Sequence, residues 1–366
     1  MRAMRQTRNC GAKPSQSRRA GRYGALLCAA LLTACATQAP LAPSPAPGIS
    51  AAPAAVDSAQ QKELRALVAL QDRLYNVAAP LLVENAALCK NNARKLFGFT
   101  AKTKYSYSSE FVAAAQSVLR LEDRLQITGL LPGSGAIKAG VRRGDILLAV
   151  DGQPMPQGPN AERDAATLLG PIVATRSSVN LTLLRNGSNL TLNVPLTLAC
   201  AFGVELGNSD NVNSYADGRR ILVTRGMMNF TQSDQELAYL LAKEMAHNAL
   251  AHAHRQKMSA TISGIIDNLI LIHPDMSSMG GSAGIKAYSA EQDASAQSLA
   301  LYMAARAGYS IDQAASFWSR LGTRYPPTVA NGYTAIHPST GSQLTTIEKT
   351  VAEIKAKQAA GKPLAP

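Results

Sequence analysis

Read as alternating apolar and polar positions, the chain falls into stretches of different period. Residues 24–35, "GALLCAALLTAC", form an apolar run too short to span a bilayer. From Ala36 to Asp57 the sequence is rich in Ala and Pro without apolar periodicity, which predicts an extended tether. Residues 60–89, "QQKELRALVALQDRLYNVAAPLLVENAALC", return apolar side chains at helical spacing, with Pro80 predicted to end or kink the first helix. Between about 118 and 197 the period shortens to that of strands ("LQITGLL", "DILLAV", "SVNLTLL", "LTLNVPL"). Turn signals separate them at Gly133-Ser134-Gly135, Asp151-Gly152 and Asn186-Gly187, and a helix-compatible "NAERDAATLL" lies between strands. After Cys200 helical spacing dominates, as in Leu240–His254 ("LLAKEMAHNALAHAH") and Tyr288–Leu321. The Gly- and Met-rich residues 258–285 predict a core helix followed by a loop, with an apolar portion too short to cross a membrane.

The pattern therefore predicts an α+β protein. Its parts are a leader (1–34), a tether (35–57), a helical segment (58–117), a small β-rich module (118–197), a mostly helical domain (198–358) and a short tail (359–366).

Charge and cysteine usage change the picture at the N-terminus. Seven basic side chains and no acidic one occupy the first 34 residues, so the leader reads as a secretory signal. It ends in Leu32-Thr33-Ala34-Cys35, which resembles the bacterial lipobox. The resemblance implies cleavage before Cys35 and lipidation of its thiol, and Ala36 in place of aspartate implies the outer membrane; two or more acyl chains suffice for stable anchoring. The expected location is periplasmic, with the membrane reached through this anchor. Removing the leader leaves 30 Lys and Arg against 24 Asp and Glu, so the net charge falls from +13 to +6 and argues against nucleic acid as a partner. Cys10 and Cys28 leave with the leader and Cys35 takes lipid. In an oxidising compartment Cys89 and Cys200 are then expected to pair.

Residues 131–155, "LPGSGAIKAGVRRGDILLAVDGQPM", resemble a bacterial PDZ domain: a small-residue turn, a short helix ending in Ala-Gly, then Gly-Asp-x-Ile-Leu and a tight turn at Asp-Gly. The resemblance covers about 80 residues. It implies binding of a peptide as an added strand, with a terminal carboxylate held on backbone amides. No carboxylate-binding loop is identifiable within residues 118–197.

The segment "NVNSYADGRRILVTRGMMNFTQSDQELAYLLAKEMAHNALAHAH" is similar to the HtpX-like zinc metallopeptidases, the membrane-associated family that includes the CAAX prenyl proteases. Asn213 to Met227 follow the family's loop and strand before the metal helix. "IHPSTGSQLTTIEKTV" resembles its closing His-Pro-Ser-Thr segment, and the likeness spans roughly residues 205–357. It implies a gluzincin-like fold in which zinc is held by H-E-x-x-H and a downstream carboxylate, with the glutamate as general base.

The residues depart from that pattern. Lys243 stands at the first ligand position, and deprotonating a lysine at neutral pH costs about 4–5 kcal/mol before any bond to zinc forms. Glu244 keeps the general-base position and His247 the second ligand position. Asp293 replaces a glutamate as third ligand, one methylene shorter. Gln297 and Gln343 stand where the family has an aspartate and an arginine. Of the remaining histidines, His254 lies two turns from His247, His252 matches a position that is not a ligand, and His337 is a possible additional ligand. Zinc binding is therefore doubted.

Three pictures follow for Lys243. It bridges Glu244 and Asp293 as an internal cation, it extends to solvent, or it is bypassed by a His247, Asp293, His337 ligand set. The expected function is a catalytically impaired peptide- or misfolded-client-binding factor in envelope quality control, acting through the PDZ module and the cleft. The alternative is an active zinc metalloendopeptidase with an altered ligand set.

Overall fold

The computed structural model describes residues 58–269 and 285–366. The leader, the tether, Cys35 and His273 lie outside the described residues, as does most of the loop expected after residue 269. Among the described residues no helix is long and apolar enough to cross a membrane.

Helix α1 (Ser58–Glu84) runs through Pro80 and is not ended by it. A helical proline costs about 3 kcal/mol. Leu74, Val77, Ala78, Leu81 and Leu82 of this helix are buried in the main core, each large side chain contributing roughly 1.5–3 kcal/mol, and tertiary packing outweighs the local penalty. The expected helical segment 58–117 is helical only in part. Strands β1 (Ala93–Leu96) and β2 (Phe99–Lys102) interrupt it before helix α2 (Val112–Leu119), because their partners lie far along the chain.

β2 opens a six-stranded sheet that continues through β3 (Gln126–Leu130), helix α3 (Gly135–Lys138), β4 (Ile146–Val150), β5 (Gln153–Pro154), helix α4 (Ala161–Thr175), β6 (Ser178–Arg185) and β7 (Ser188–Pro195). The strand order is β2-β3-β4-β6-β7, with β5 beside β4. Asn186 and Gly187, both at positive φ, turn β6 into β7. Ile127, Leu147, Val179, Leu181 and Leu183 close the core of this PDZ-like module.

Strand β8 (Thr197–Cys200) pairs antiparallel with β1, and the disulfide Cys89–Cys200 fastens the same two segments. β9 (Gly203–Gly207), β10 (Ser214–Ala216) and β11 (Arg220–Thr224) make a second sheet, ordered β10-β11-β9. Helices α5 (Arg225–Phe230), α6 (Asp234–Ala249), α7 (His252–Arg255), α8 (Ser259–Leu269), α9 (Ala290–Arg306), α10 (Ala314–Arg324), α11 (Tyr333–Ile336) and α12 (Leu344–Ala359) follow. One apolar core joins α1, β9, β11, α6, α9, α10 and α12.

Neighbouring residues of α1 tie the two modules. Asp72 pairs with Arg143 of the PDZ-like module, and Arg73 donates to Asp234 at 2.9 Å and to the Met228 carbonyl at 3.0 Å.

Candidate functional site

Helix α6 begins at a Ser233 cap that accepts from the Glu236 amide, and α9 begins with a Ser289–Gln292 capping box. Both caps set the phase of the helices they start. That phase brings Lys243, Glu244 and His247 of α6 against Asp293 of α9, while the turn after α11 adds His337. All five side chains are at most 1 % exposed.

The hub is Asp293 Oδ1. Lys243 Nζ lies 3.0 Å from it, His337 Nδ1 2.9 Å and His247 Nε2 3.4 Å. Asp293 Oδ2 accepts from Ser339 Oγ at 2.9 Å, and Gln343 Nε2 donates to that same hydroxyl at 2.9 Å. The lysine contact is within ion-pair distance but off the line of a hydrogen bond, so its attraction is chiefly Coulombic. The ammonium also sits over the rings of Trp318 and Tyr333, at 4.7 and 5.6 Å from their centroids.

These distances decide among the three pictures. Lys243 is wholly buried and does not extend to solvent. Nor does it bridge the two carboxylates: Glu244 accepts from Ser214 Oγ at 2.8 Å, and it is His337 that lies between, with Nε2 3.5 Å from Glu244 Oε1. A lysine stem four carbons long starts one residue before Glu244 and points across to α9, whereas His337 enters from a third segment.

His252 is also placed otherwise than a continuous helix predicts. The chain leaves α6 at Leu250, turns through Ala251 at φ +56°, and returns His252 Nδ1 to 3.0 Å from His247 Nδ1. That contact orients the His247 ring with Nε2 toward Asp293. His254 is exposed and lies away from the site, and Gln297 is buried on α9.

Burial pushes the pKa of His247 down to about 4, does the same to His252, and lowers His337. All three rings are neutral near pH 7. Burial raises Glu244. Burial alone would raise Asp293 as well, but the Lys243 charge, followed by His337, holds it well below the usual carboxylate range.

Ser214, His252, Tyr288, Tyr333 and Ser339 were not picked out from the sequence as members of the site. Tyr288 stacks near His247, with centroids 4.1 Å apart, and Tyr333 is stacked on His337 at 4.2 Å. The two serines flank motifs that were legible, Asn213-Ser214 and His337-Pro338-Ser339, and their hydroxyls donate to the two carboxylates.

Donor chemistry and charge answer differently when the site is tested for zinc. His247, Asp293 and His337 place ligand atoms within 4.8 Å of one another, and two imidazoles with a carboxylate are a competent set. The Lys243 ammonium, however, already delivers a positive charge to the carboxylate oxygen a cation would need. As folded here, the residues do not fit the ion.

Residues 191–351 match the model of peptidase family M48. This part of the chain is similar to an M48 peptidase domain. M48 peptidases are zinc-dependent, and α6 and α9, which carry Lys243, Glu244, His247 and Asp293, pack against each other within the matched span. No curated protein matches the chain.

Among solved structures the chain is similar to the HtrA3 PDZ domain bound to a phage-derived ligand, at 18% identity and TM-score 0.22, covering 29% of this chain and 88% of that one. It is also similar to the HtrA-type protease AlgW with decapeptide (23%, TM-score 0.22, 29% and 30%) and to a PDZ domain protein from Parabacteroides distasonis (16%, TM-score 0.22, 35% and 23%). The chain thus spans under a third of those two longer proteins. The PDZ-like character of residues 99–195 rests on the strand order of their own sheet.

That order has two outer strands, β7 and β2, and of these β2 lies outside the window 118–197. β2 ends the sheet, with β3 on one side and no strand on the other among the described residues. Leu96-Phe97-Gly98-Phe99 leads into it, Gly98 turning at φ +84°. The signal was present as an apolar-Gly-apolar turn before a short alternating run, but it lay inside what read as a helical segment. Phe97, Phe99 and Ala101, like Leu168, Leu169 and Ile172 of α4, pack against the module's core.

Proposed function

We propose that this protein is a lipid-anchored periplasmic factor, held at the outer membrane through Cys35, that binds peptides or misfolded clients and hydrolyses them feebly or not at all. The observation that carries the reading is the buried Lys243–Asp293 pair at 3.0 Å, an ammonium standing where the family's chemistry needs a metal ligand. An active peptidase must present its carboxylate to zinc with the charge uncommitted. Here the Asp293 charge is matched from within, and the side chains that would act on a substrate are buried. The β2 edge, by contrast, offers unpaired main-chain groups suited to an added peptide strand.

A second reading, a metalloendopeptidase using His247, Asp293 and His337, is favoured by the closeness of those ligand atoms. Elemental mass spectrometry on protein beginning after Cys35, with its disulfide intact, separates the two. The expected result is far less than one zinc per chain, with binding gained in Lys243→His plus Asp293→Glu. About one zinc per chain, lost in His247→Ala, would sink the impaired reading and make Glu244 the residue to mutate in a protease assay. Anchoring is checked by Cys35→Ser, which is expected to move the protein from the membrane fraction to the soluble one; retention on the membrane counts against the anchor.

A further inference from the structure

A cavity of about 360 Å³ lies at the seam between the two modules. One wall is the turn into β2, through Phe97, Gly98 and Phe99. The opposite wall is made by Tyr75 and Leu82 of α1 and by Val204 of β9, all outside the PDZ-like module. A strand added antiparallel to the free edge of β2 runs from Lys102 toward Phe99, so its C-terminal end arrives at the Gly98 turn, beside this cavity.

Charge suits a terminal carboxylate there. Among the described residues Lys95 is the single cation lining the cavity, and its ammonium donates to the Arg176 carbonyl at 2.7 Å, leaving two further protons for an acceptor. Among the described residues the single acid in the lining is Glu205. Burial raises its pKa, which weakens its opposition to an incoming anion. At the other end of the groove the Ser106 hydroxyl donates to Glu162 of α4, joining the two walls just beyond β2.

We infer that the pocket for the last side chain of a bound peptide is composite: the PDZ-like module pairs the strand, while α1 and β9 of the peptidase module complete an apolar pocket that selects a large apolar C-terminal residue. This rests on the peptide-binding reading above and deepens it. The ligand is an extended peptide with a free carboxylate, and its last residue is read partly by residues that do not belong to the module that pairs with it. Occupancy therefore presses on α1 and β9, which share a core with the metal helix α6.

The test uses the mature chain and fluorescein-labelled decapeptides of one sequence ending in Phe, Leu or Ala, each as acid and as amide, read by fluorescence anisotropy. The Phe and Leu acids are expected to bind at least about tenfold more tightly than the Ala acid, the difference a large apolar side chain brings on burial. Their amides are expected to be weaker still. Val204→Trp, which fills the pocket from the peptidase side, is expected to abolish the preference for Phe over Ala. Val204→Ala, the milder change should the tryptophan variant misfold, is expected to shift preference from Leu toward Phe.

No carboxylate-dependent binding by any peptide would overturn the peptide-binding reading and this inference with it. Carboxylate-dependent binding whose residue preference neither Val204 variant alters would keep that reading and overturn the composite pocket. Concentration-dependent dimerisation lost in Val204→Trp, with no peptide bound, would assign the cavity to a second copy and overturn it as well.

Discussion

The peptidase-like site and the β2 groove make opposite uses of polar groups. In the first, Lys243, Asp293, His337 and Glu244 answer one another within a space at most 1 % exposed. In the second, a sheet ends on a strand whose outer edge has no strand partner among the described residues, beside a cavity with one cation at its lining. A site that is satisfied internally has little left with which to bind; an edge that is unsatisfied has directional capacity to spare. The difference teaches that the M48-like residues and the open sheet edge lie in different parts of this chain: the former where the polar groups are closed on themselves, the latter where they are not.

The largest test concerns the link between the two regions. The Cys89–Cys200 bridge joins residues 111 apart in sequence and ties the segment after α1 to β8, next to both regions. Opening it, by Cys89→Ala with Cys200→Ala, is expected to cost about 4–5 kcal/mol by loop entropy, seen as a lowered denaturant midpoint in one transition. Two separate transitions would mean that the regions are energetically independent and that the seam couples nothing.

Next comes the charge at the sealed site. Lys243→Met strands the Asp293 carboxylate without its nearest cation and is expected to destabilise by about 3–5 kcal/mol, while adding Asp293→Asn recovers much of the loss. Denaturant melts of both variants measure it. A neutral Lys243→Met would show that the ammonium does not balance the site and would remove the contrast with the groove.

The smallest effect is that of pH on metal-free protein. His247 has a folded pKa of about 4 against about 6.5 unfolded, so the unfolded chain takes up a proton that the folded chain refuses. Stability is therefore full above pH about 6.5 and falls as pH drops toward 4, by about 3 kcal/mol from this residue alone, with His252 and His337 acting in the same direction. A thermal melt unchanged across that window would mean that the three rings are solvated and the site is open.

Much of this was legible in the sequence, and the exceptions have physical causes. The period of apolar residues separated a β-rich module from a helical domain, the Asn-Gly turn marked its hairpin, and the Lys243 substitution was visible against the motif around it. The continuous helix expected from Leu240 to His254 fails because Ala251 adopts a left-handed conformation that its composition does not announce, and the consequence is the His247–His252 contact. β1 and β2 were read as helix because strands of four residues carry too few positions for a period to register, and their partners lie in β8 and β3.

By itself the sequence determined which chemistry is available: a helix resembling that of the metallopeptidases with a lysine in a ligand position, two cysteines to pair, and an N-terminal segment that resembles a leader with a lipobox. These are properties of residue identity and short spacing, and local interactions carry them. Tertiary structure alone decided which charges meet. Whether Lys243 reaches solvent, Glu244 or Asp293, whether His337 joins the site, and whether a cavity opens between α1, β9 and the β2 turn all depend on helix phase and module packing. Coulomb and packing energies change over a few ångströms, and no spacing along the chain specifies distances of that size between segments tens to hundreds of residues apart.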